Sequence, residues 1–344
     1  MKVSEFTYEL PKELIAQSPL KDRTASRLLV VDRNEGSLVD TQFTHFLDFL
    51  APGDLLVFND TAVMPARLIG TKTDTNAVIE VLLLEQKAND VWECLVKKAK
   101  KVKVGTEISF GNDRLIAQCI EVKEEGLRLF KMRYQGIFYE VLDKLGEMPL
   151  PPYIHEKLAD KDRYQTVYRK HIGSAAAPTA GLHFTEEYIE KIRQKGVNIT
   201  FVTLHVGLGT FRPVSVDRIE NHTMHEEFYI VNEETIQAIK ETKAKGNRVI
   251  AIGTTSLRTL ETIAQESELK AQKGYSNIFI YPGYTFKIVD ALLTNFHLPE
   301  STLLMLVSAF SSLPIMKEAY QHAVKERYRF FSFGDAMFLT NLKK

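Results

Sequence analysis

The chain has 344 residues, a length that predicts two domains. Hydrophobic residues make up 44% of the chain and charged residues 26%, a composition typical of folded proteins rather than disordered ones. Its formal net charge at pH 7 is zero, which excludes bulk-charge coating of nucleic acid but leaves room for a local basic patch. No apolar run has the length of a membrane span and residues 1–5 show no signal-peptide core, so we expect no membrane association and a cytoplasmic protein.

The first part of the chain predicts the beginning of an α/β domain. After an opening segment that we expect to be extended and polar, residues 28–31 form an apolar run typical of a buried strand. A short helix is predicted near residues 43–50. The turn Pro52-Gly53-Asp54 leads into a second buried strand at 55–58, which ends in Asn59-Asp60-Thr61.

Residues 67–150 have a different pattern, with short β-rich runs separated by turns. These runs follow one another too closely to be joined by crossover helices, so they predict an antiparallel meander that closes into a small β-barrel. Prolines flank the region, at Pro65 and again from Pro149, which marks it as an insertion in the main domain. Cys94 and Cys119 lie inside apolar runs, so we expect buried thiols rather than a disulfide or a metal site. The predicted barrel strands are 78–84, 91–96, 107–110, 115–122 and 127–134.

From residue 151 to the end, strands alternate with helices, so residues 1–66 and 151–344 predict one discontinuous α/β domain. Its sheet is expected to be mostly parallel and barrel-like. Thr185 and Asn232 are the expected N-caps of two helices, which Gly196 and Gly246 end. The predicted strands are 197–204, 228–231, 248–252 and 278–281. Further helices are predicted from the turn 253–256 through residue 263, after Pro299 and at 314–328.

Polar or small residues follow three of these buried strands: Asn59-Asp60-Thr61, the segment 205–212, and Gly253-Thr254-Thr255-Ser256. The carboxyl ends of parallel strands share one edge of a sheet, so we expect the three segments to line one ligand cleft together with the Pro- and Gly-containing loop 175–185. The third segment opens a helix, where free amides suit a carboxylate or phosphate. It lacks the spacing of a dinucleotide or nucleoside triphosphate loop, which disfavours those ligands.

Three histidines, His183, His205 and His297, lie in loops beside Gly, Phe or Asn. Each is a candidate general acid or base, although an ordinary hydrogen-bonded loop residue is the commoner explanation for such a histidine. The segment 222–227 is rich in His and Glu but matches no standard zinc spacing, so we predict no metal site.

Motifs spread over nearly the whole chain resemble the S-adenosylmethionine:tRNA ribosyltransferase-isomerase family of queuosine biosynthesis. The resemblance is weakest in the inserted barrel, and Phe333 stands where the family often has Tyr. The motifs are Asn59-Asp60-Thr61 with Ala66-Arg67-Leu68, Ala176-Ala177-Pro178-Thr179-Ala180-Gly181-Leu182-His183-Phe184-Thr185, His205-Val206-Gly207 with Gly209-Thr210-Phe211, Met224-His225 with Glu227, Gly253-Thr254-Thr255-Ser256 with Arg258, Asn295-Phe296-His297-Leu298-Pro299, and Arg329-Phe330-Phe331-Ser332 with Gly334-Asp335-Ala336-Met337.

The resemblance implies an enzyme that transfers and isomerises the ribosyl unit of S-adenosylmethionine onto 7-aminomethyl-7-deazaguanine in a tRNA anticodon. The product is epoxyqueuosine-tRNA, and adenine and methionine are released. S-adenosylmethionine then acts as a cosubstrate, no cofactor is bound permanently, and we expect a monomer. Two alternatives stay open: a tRNA methyltransferase, which the missing Gly-rich loop disfavours, and a non-catalytic RNA-binding protein.

This chemistry needs a base for an acidic C5′ hydrogen, an acid for the adenine nitrogen, and a pocket without water. Candidate acids and bases are Asp60, His183, Glu226 and Glu227. Arg67 or Arg258 is a candidate for holding the methionine carboxylate, unless these arginines pair with acidic residues instead. Phe184, Phe211 and Phe296 are candidates for stacking on adenine or the deazaguanine, although aromatic residues more commonly belong to the core. The predicted substrate-binding residues are Asn59, Arg67, Thr179, His205, Thr210, Thr254, Thr255, Arg258, His297 and Asp335.

Lysines cluster at one turn of the predicted barrel: Lys97, Lys98, Lys100 and Lys101. Lys325, Arg327 and Arg329 form a second basic group. We expect the barrel lysines to contact tRNA phosphates, although a solvated lysine-rich turn explains the same pattern.

Overall fold

The computed structural model describes residues 1–156, 158–207 and 214–342. The chain forms two compact units. Met1–Ala62, Pro152–Ile172 and Ala177–Lys344 form the sheet unit, and Val63–Pro151 with Gly173–Ala176 form the barrel unit. The predicted fold class, an α/β domain with an inserted antiparallel β-barrel, is confirmed. The expected barrel-like, mostly parallel character of the main sheet is wrong, because in the described residues that sheet is open and only four of its eight neighbouring pairs are parallel.

The strands of the described residues are β1 (Arg27–Asp32), β2 (Leu38–Gln42), β3 (Leu55–Asn59), β4 (Thr61–Val63), β5 (Arg67–Lys72), β6 (Val78–Ala88), β7 (Val91–Lys97), β8 (Glu107–Phe110), β9 (Leu115–Val122), β10 (Leu127–Tyr134), β11 (His171–Ser174), β12 (Asn198–Leu204), β13 (Glu227–Val231), β14 (Val249–Ile252), β15 (Gln272–Ser276), β16 (Ala291–Asn295) and β17 (Ala336–Thr340). The α-helices are α1 (Phe138–Leu145), α2 (Glu186–Gln194), α3 (Glu233–Ala244), α4 (Thr254–Ile263), α5 (Thr302–Phe310) and α6 (Leu313–Lys325). Short 3₁₀ helices lie at Val3–Phe6, Lys12–Leu14, Arg23–Ala25, Phe43–Phe49, Ala99–Lys101, Glu124–Gly126, Lys161–Tyr164, Thr179–His183 and Ile219–Asn221.

A nine-stranded sheet organises the sheet unit, in the order β15-β13-β12-β3-β14-β16-β17-β1-β2. The neighbours β12, β3, β14 and β16 run parallel to one another, as do β17 and β1, whereas the remaining pairs are antiparallel. The carboxyl ends of β3, β12, β14 and β16 therefore point to one edge of the sheet, which is where the candidate site is found.

Helices and loops cover the central strands, so β3, β14, β16 and β17 are buried over their whole length. Thr185 caps α2 by accepting a hydrogen bond from the Tyr188 amide, as predicted. Phe184 packs edge-on against Phe58 with ring centroids 4.9 Å apart. Since Phe184 and Phe296 are fully buried in aromatic clusters, their predicted stacking on a ligand base is wrong. Each such ring contributes about 2 kcal/mol through burial instead.

The barrel unit contains a closed barrel in the order β10-β7-β6-β5-β8-β9. Its core comes from the inward positions of alternating strands, such as Val81 and Ile108. Gly70 on β5 permits close packing, because a Cβ atom there would lie 2.5 Å from the Ser109 carbonyl oxygen. Cys94 and Cys119 are free and buried in this unit, as predicted.

Several predicted elements differ from the structure. Residues 278–281 are not a strand; the polar strand β15 lies just before them. The strands β2, β4, β5, β11, β15, β16 and β17 are not among the predicted ones. The opening segment contains short 3₁₀ helices rather than extended chain. In the described ranges no single helix is long and apolar enough to cross a membrane; α5 and α6 pass that test only as a pair, bent by 114°.

Candidate active site

Asn59, the last residue of β3, connects three elements at the edge of the sheet. Its side-chain amide donates to the Leu204 carbonyl at 3.0 Å and to Thr255 Oγ1 at 3.1 Å. Its Oδ1 atom accepts from the amides of Leu204 and Thr61. Asn59 is fully buried and all of its side-chain hydrogen-bonding groups are engaged, so it fixes the ends of β3 and β12 against the start of α4.

Asp60 follows and points a largely buried carboxyl group toward β12. Thr203 Oγ1 donates to Asp60 Oδ1 at 2.6 Å, and His171 Nε2 lies 3.7 Å from Oδ2. Burial raises the pKa of Asp60, while the Thr203 hydrogen bond and the charges of His171 and Lys170 lower it. The balance keeps the pKa above its ordinary value, as suits a proton acceptor.

Thr61 and His205 form the next pair along this edge, since Thr61 Oγ1 lies 2.8 Å from His205 Nδ1. Burial and the nearby His171 lower the pKa of His205 to about 4, so its imidazole is neutral at pH 7. The segment that follows includes the predicted residue Thr210 and the aromatic candidate Phe211, both of which lie outside the described residues.

A buried ion pair joins Arg258 of α4 to Glu227 at the start of β13. Arg258 Nη1 donates to Glu227 Oε2, and the Gly207 amide donates to Oε1 at 3.0 Å. Both side chains are 4% exposed. Arg258 Nε and Nη2 are buried and have no hydrogen-bond partner among the described residues. Such groups are costly to leave unpaired, and chemically they can donate to the oxygens of a carboxylate or phosphate.

The first turn of α4 lies beside the loop that carries His183. Gly253 precedes the helix with φ +89° and ψ 155°, a backbone conformation that residues other than glycine rarely adopt. A Cβ atom at Gly253 would lie 3.6 Å from Ala180 Cβ, in the 3₁₀ helix Thr179–His183. Thr254 follows, largely buried, in the first turn of α4. The structure thus brings the 3₁₀ helix Thr179–His183 and the turn 253–256 together.

His183 lies within a buried polar cluster. Its Nδ1 atom is 2.8 Å from Ser26 Oγ and its Nε2 atom is 3.2 Å from Asn295 Nδ2, while Thr179 Oγ1 donates to Asn295 Oδ1 at 3.1 Å. Burial, assisted by the charges of Arg23 and Arg329, lowers the pKa of His183 to about 3. The imidazole is therefore neutral, and both of its nitrogens are engaged.

The remaining predicted residues have other contacts. Glu226 is exposed, and Arg67 belongs to the barrel unit, where it pairs with Glu80 at 3.1 Å. His297 is buried with Nε2 3.0 Å from Thr294 Oγ1. The carboxylate of Asp335 accepts from the amides of Arg27 and Arg329, so it holds backbone together.

The four predicted tRNA-binding lysines are carried by the barrel unit. Lys97 ends β7 and lies 3.5 Å from Glu80, and Lys98 adopts φ 63° just before the 3₁₀ helix Ala99–Lys101. The buried guanidinium of Arg128 donates to the Ala99 and Val102 carbonyls, which holds this turn in place.

Thr203 and His171 are contacts of Asp60 that the sequence did not single out. Thr203 is one polar residue within an apolar strand, and His171 is a lone histidine beside Lys170. Neither carries a local sequence signal, because both reach Asp60 only through strand pairing. Among the described residues, no group of three His, Cys, Asp or Glu side chains is arranged to hold a metal ion.

An α/β sheet with carboxylates, neutral histidines and an incompletely bonded arginine at one edge, together with an inserted β-barrel, defines a two-unit enzyme. The chain belongs to the queuosine biosynthesis protein family, whose model matches residues 3–339. The chain is similar to the solved structure of the S-adenosylmethionine tRNA ribosyltransferase from Thermotoga maritima, with 43% identity and a TM-score of 0.58. That match covers 98% of this chain and 100% of the other. The predicted family is confirmed.

Proposed function

We propose that the protein is a transferase that moves the ribosyl unit of S-adenosylmethionine onto 7-aminomethyl-7-deazaguanine in a tRNA anticodon. The product is epoxyqueuosine-tRNA, with release of adenine and methionine. Family membership and the likeness to a tRNA ribosyltransferase support this assignment. The observation that carries it within the site is the buried Arg258 guanidinium, whose Nε and Nη2 are unpaired among the described residues.

Arg258 is assigned the role of binding the carboxylate of the methionine part of S-adenosylmethionine. One edge of its guanidinium already holds Glu227, which fixes its orientation, and the remaining N–H groups suit the oxygens of a second carboxylate. Glu227 is then a positioning group rather than a base, because Arg258 and the Gly207 amide engage both of its oxygens. The amides of Thr254 and Thr255 add the positive end of α4 to the same region.

Asp60 is assigned the role of base. The sulfonium acidifies the ribose C5′ hydrogens, and a carboxylate with a raised pKa removes one of them more readily than an ordinary Asp. His171 lies on the same edge and is the candidate for protonating the departing adenine, whereas the neutral imidazole of His205 contacts Thr61. Asn59, Thr61 and Thr203 hold these groups in position.

Incubation with S-adenosylmethionine and tRNA carrying the aminomethyl-deazaguanine tests the assignment. Free adenine, free methionine and the mass of the modified nucleoside are measured together. A methylated nucleoside without adenine release would point to the methyltransferase alternative, which the family membership does not favour. Binding of tRNA without consumption of S-adenosylmethionine would point to a non-catalytic protein. The monomeric state and the cytoplasmic location stay predictions, and gel filtration tests the first.

A further inference from the structure

Four arginines of the sheet unit gather near His183. Arg23 and Arg163 line a small cavity of about 30 Å³, together with His183, Phe333 and Asp22, whose carboxylate accepts from the Thr24 amide and hydroxyl. Arg169 lies within electrostatic range of Arg23, and Arg329 within range of His183. We call Arg23, Arg163, Arg169 and Arg329 the arginine cluster. None of them has a place in the reaction as assigned above.

Backbone carbonyls, rather than carboxylates, accept most hydrogen bonds from the cluster. A guanidinium bonded to carbonyls keeps its net charge, whereas an ion pair would cancel it. Arg169 is the exception, since it also pairs with Asp162 Oδ1 at 2.8 Å. The carbonyl contacts are Arg23 with Leu182 at 3.1 Å and Asp162 at 2.9 Å, Arg163 with Leu20 at 2.6 Å and Lys21 at 2.7 Å, Arg169 with Thr166 at 3.3 Å, and Arg329 with Ser18.

Positive charge in the cluster is only partly balanced. Burial lowers the pKa of Arg23, and repulsion by Arg163 and Arg169 lowers it further, although Asp160 and Asp162 oppose the shift. Arg163 Nε and Arg329 Nη1 are buried without a hydrogen-bond partner among the described residues. Cations held near one another with N–H groups unpaired are what an anion-binding site requires before its ligand arrives.

We propose that the arginine cluster binds a phosphodiester group of the substrate RNA. This proposal rests on the proposed function and adds an RNA contact in the sheet unit. The unpaired Arg163 Nε and Arg329 Nη1 groups can donate to phosphate oxygens, and the carbonyl contacts of Arg23 and Arg163 limit the side-chain entropy lost on binding. Because the cavity reaches His183, the bound phosphate lies beside the polar cluster of His183 and Asn295.

The test compares Arg169→Gln with Arg193→Gln. Both arginines are partly exposed and pair with one carboxylate, but Arg193 lies on α2 and pairs only with Glu190 at 3.6 Å. The dissociation constant of tRNA carrying the aminomethyl-deazaguanine is measured over a series of salt concentrations. We expect Arg169→Gln to weaken binding about tenfold and to reduce the salt slope by about 0.7, the value for one phosphate contact on a single strand. Arg193→Gln should leave both unchanged.

Binding of S-adenosylmethionine alone is measured for the same proteins, since its carboxylate is the other anion available. A weaker affinity for S-adenosylmethionine with unchanged RNA binding would overturn the proposal, and so would unchanged binding of both. Arg169→Lys, which keeps the charge, should retain the salt slope, and Arg23→Gln gives a second variant at the cavity itself. If the unmodified protein binds tRNA but releases no adenine, the proposed function fails. The tRNA affinities of the Arg169, Arg23 and Arg193 variants still decide whether the arginine cluster binds RNA.

Discussion

Arg258 and Arg248 each pair with a buried carboxylate near an end of β14. They differ in whether their guanidinium N–H groups all have hydrogen-bond partners. Arg248 uses its nitrogens on Asp54, Thr340 Oγ1 and the Phe49 carbonyl, whereas Arg258 Nε and Nη2 have no partner among the described residues. Arg258→Lys should therefore raise the KM for S-adenosylmethionine roughly 10- to 100-fold, because a lysine cannot serve two carboxylates bidentately.

Arg248→Lys is the matched control for this comparison. It should lower the free energy of unfolding by about 1–3 kcal/mol, because Asp54 loses a charged hydrogen bond, and leave the KM unchanged. Steady-state kinetics and urea denaturation separate the two effects. Equal KM values for the two variants would remove Arg258 from the methionine site.

The raised pKa of Asp60 predicts how the reaction depends on pH. As the pH falls, Asp60 takes up a proton and ceases to act as a base, so kcat/KM falls on the acid side at a pH above the pKa of an ordinary Asp. Thr203→Val removes a hydrogen bond that lowers the Asp60 pKa, so the acid limb should move to still higher pH. Asp60→Asn should reduce kcat by about 10²- to 10⁴-fold. A Thr203→Val profile identical to that of the unmodified protein would argue against Asp60 as the base.

His297 predicts a pH dependence of stability rather than of activity. Burial lowers its pKa to about 3, so the folded state holds it neutral while the unfolded state takes up a proton below the ordinary histidine pKa of 6.5. Its contribution to stability is full above that value and is lost as the pH falls toward the folded pKa. Between about pH 7 and about pH 5.5 the loss is about 1 kcal/mol.

His297→Gln should make the fall in unfolding free energy over this range smaller by that amount, as measured by urea denaturation. His45→Gln is the control, since the His45 side chain is 60% exposed. Equal pH dependence in His297→Gln and the unmodified protein would show that His297 is not held neutral by the fold.

At the scale of elements, the junction between β14 and α4 depends on Gly253. Its φ of +89° with ψ 155° belongs to a region that alanine reaches at a cost of about 1–3 kcal/mol. Gly253→Ala should lower stability by that amount and also raise the KM for S-adenosylmethionine, because the first turn of α4 carries Thr254 and Thr255. Gly246→Ala is the control, because Gly246 also has a positive φ, +71°, and no atom lies within 4 Å of the added Cβ. It should lower stability while leaving the KM unchanged.

Elements with a strong local pattern were predictable, and elements defined by pairing were not. The N-caps Thr185 and Asn232 and the turns of the barrel carry their own signals. By contrast, β2 and β15 are polar edge strands with exposed positions, and only their neighbours make them strands. Residues 278–281 are rich in Ile, Phe and Tyr, which favours a strand, yet Pro282 and Gly283 follow and no neighbour pairs with them in the described chain.

The same distinction applies to the site. Asn59, Thr255 and Arg258 lie at or just after the ends of strands, so the rule for parallel sheets is enough to place them at one edge from the sequence alone. The roles of Glu227 and Asp335 depend on which distant groups their oxygens meet: Arg258 and Gly207 for the first, two backbone amides for the second. A partner that lies far along the chain leaves no trace in the local sequence, so these two roles become visible only in the folded molecule.

At the scale of the whole molecule, charge is uneven although the formal net charge is zero. The sheet unit holds the reactive side chains and the arginine cluster, and the barrel unit carries Lys100 and Lys101 on a turn that Arg128 holds rigid. A rigid, basic turn loses little entropy when it binds a phosphate backbone. Contacts from both units would give tRNA binding a steep salt dependence.

Lys100→Glu combined with Lys101→Glu tests the contribution of the barrel unit. The logarithm of the binding constant decreases linearly with the logarithm of the salt concentration. If each lysine contacts one phosphate, the magnitude of this negative slope should decrease by about 1.5. Lys240→Glu with Lys317→Glu changes the net charge equally but alters exposed positions on α3 and α6, so it should change the slope little. A fall of the same size in both double variants would mean that overall charge, and not this turn, governs tRNA binding. An unchanged slope in the barrel variant would show that its lysines are simply solvated.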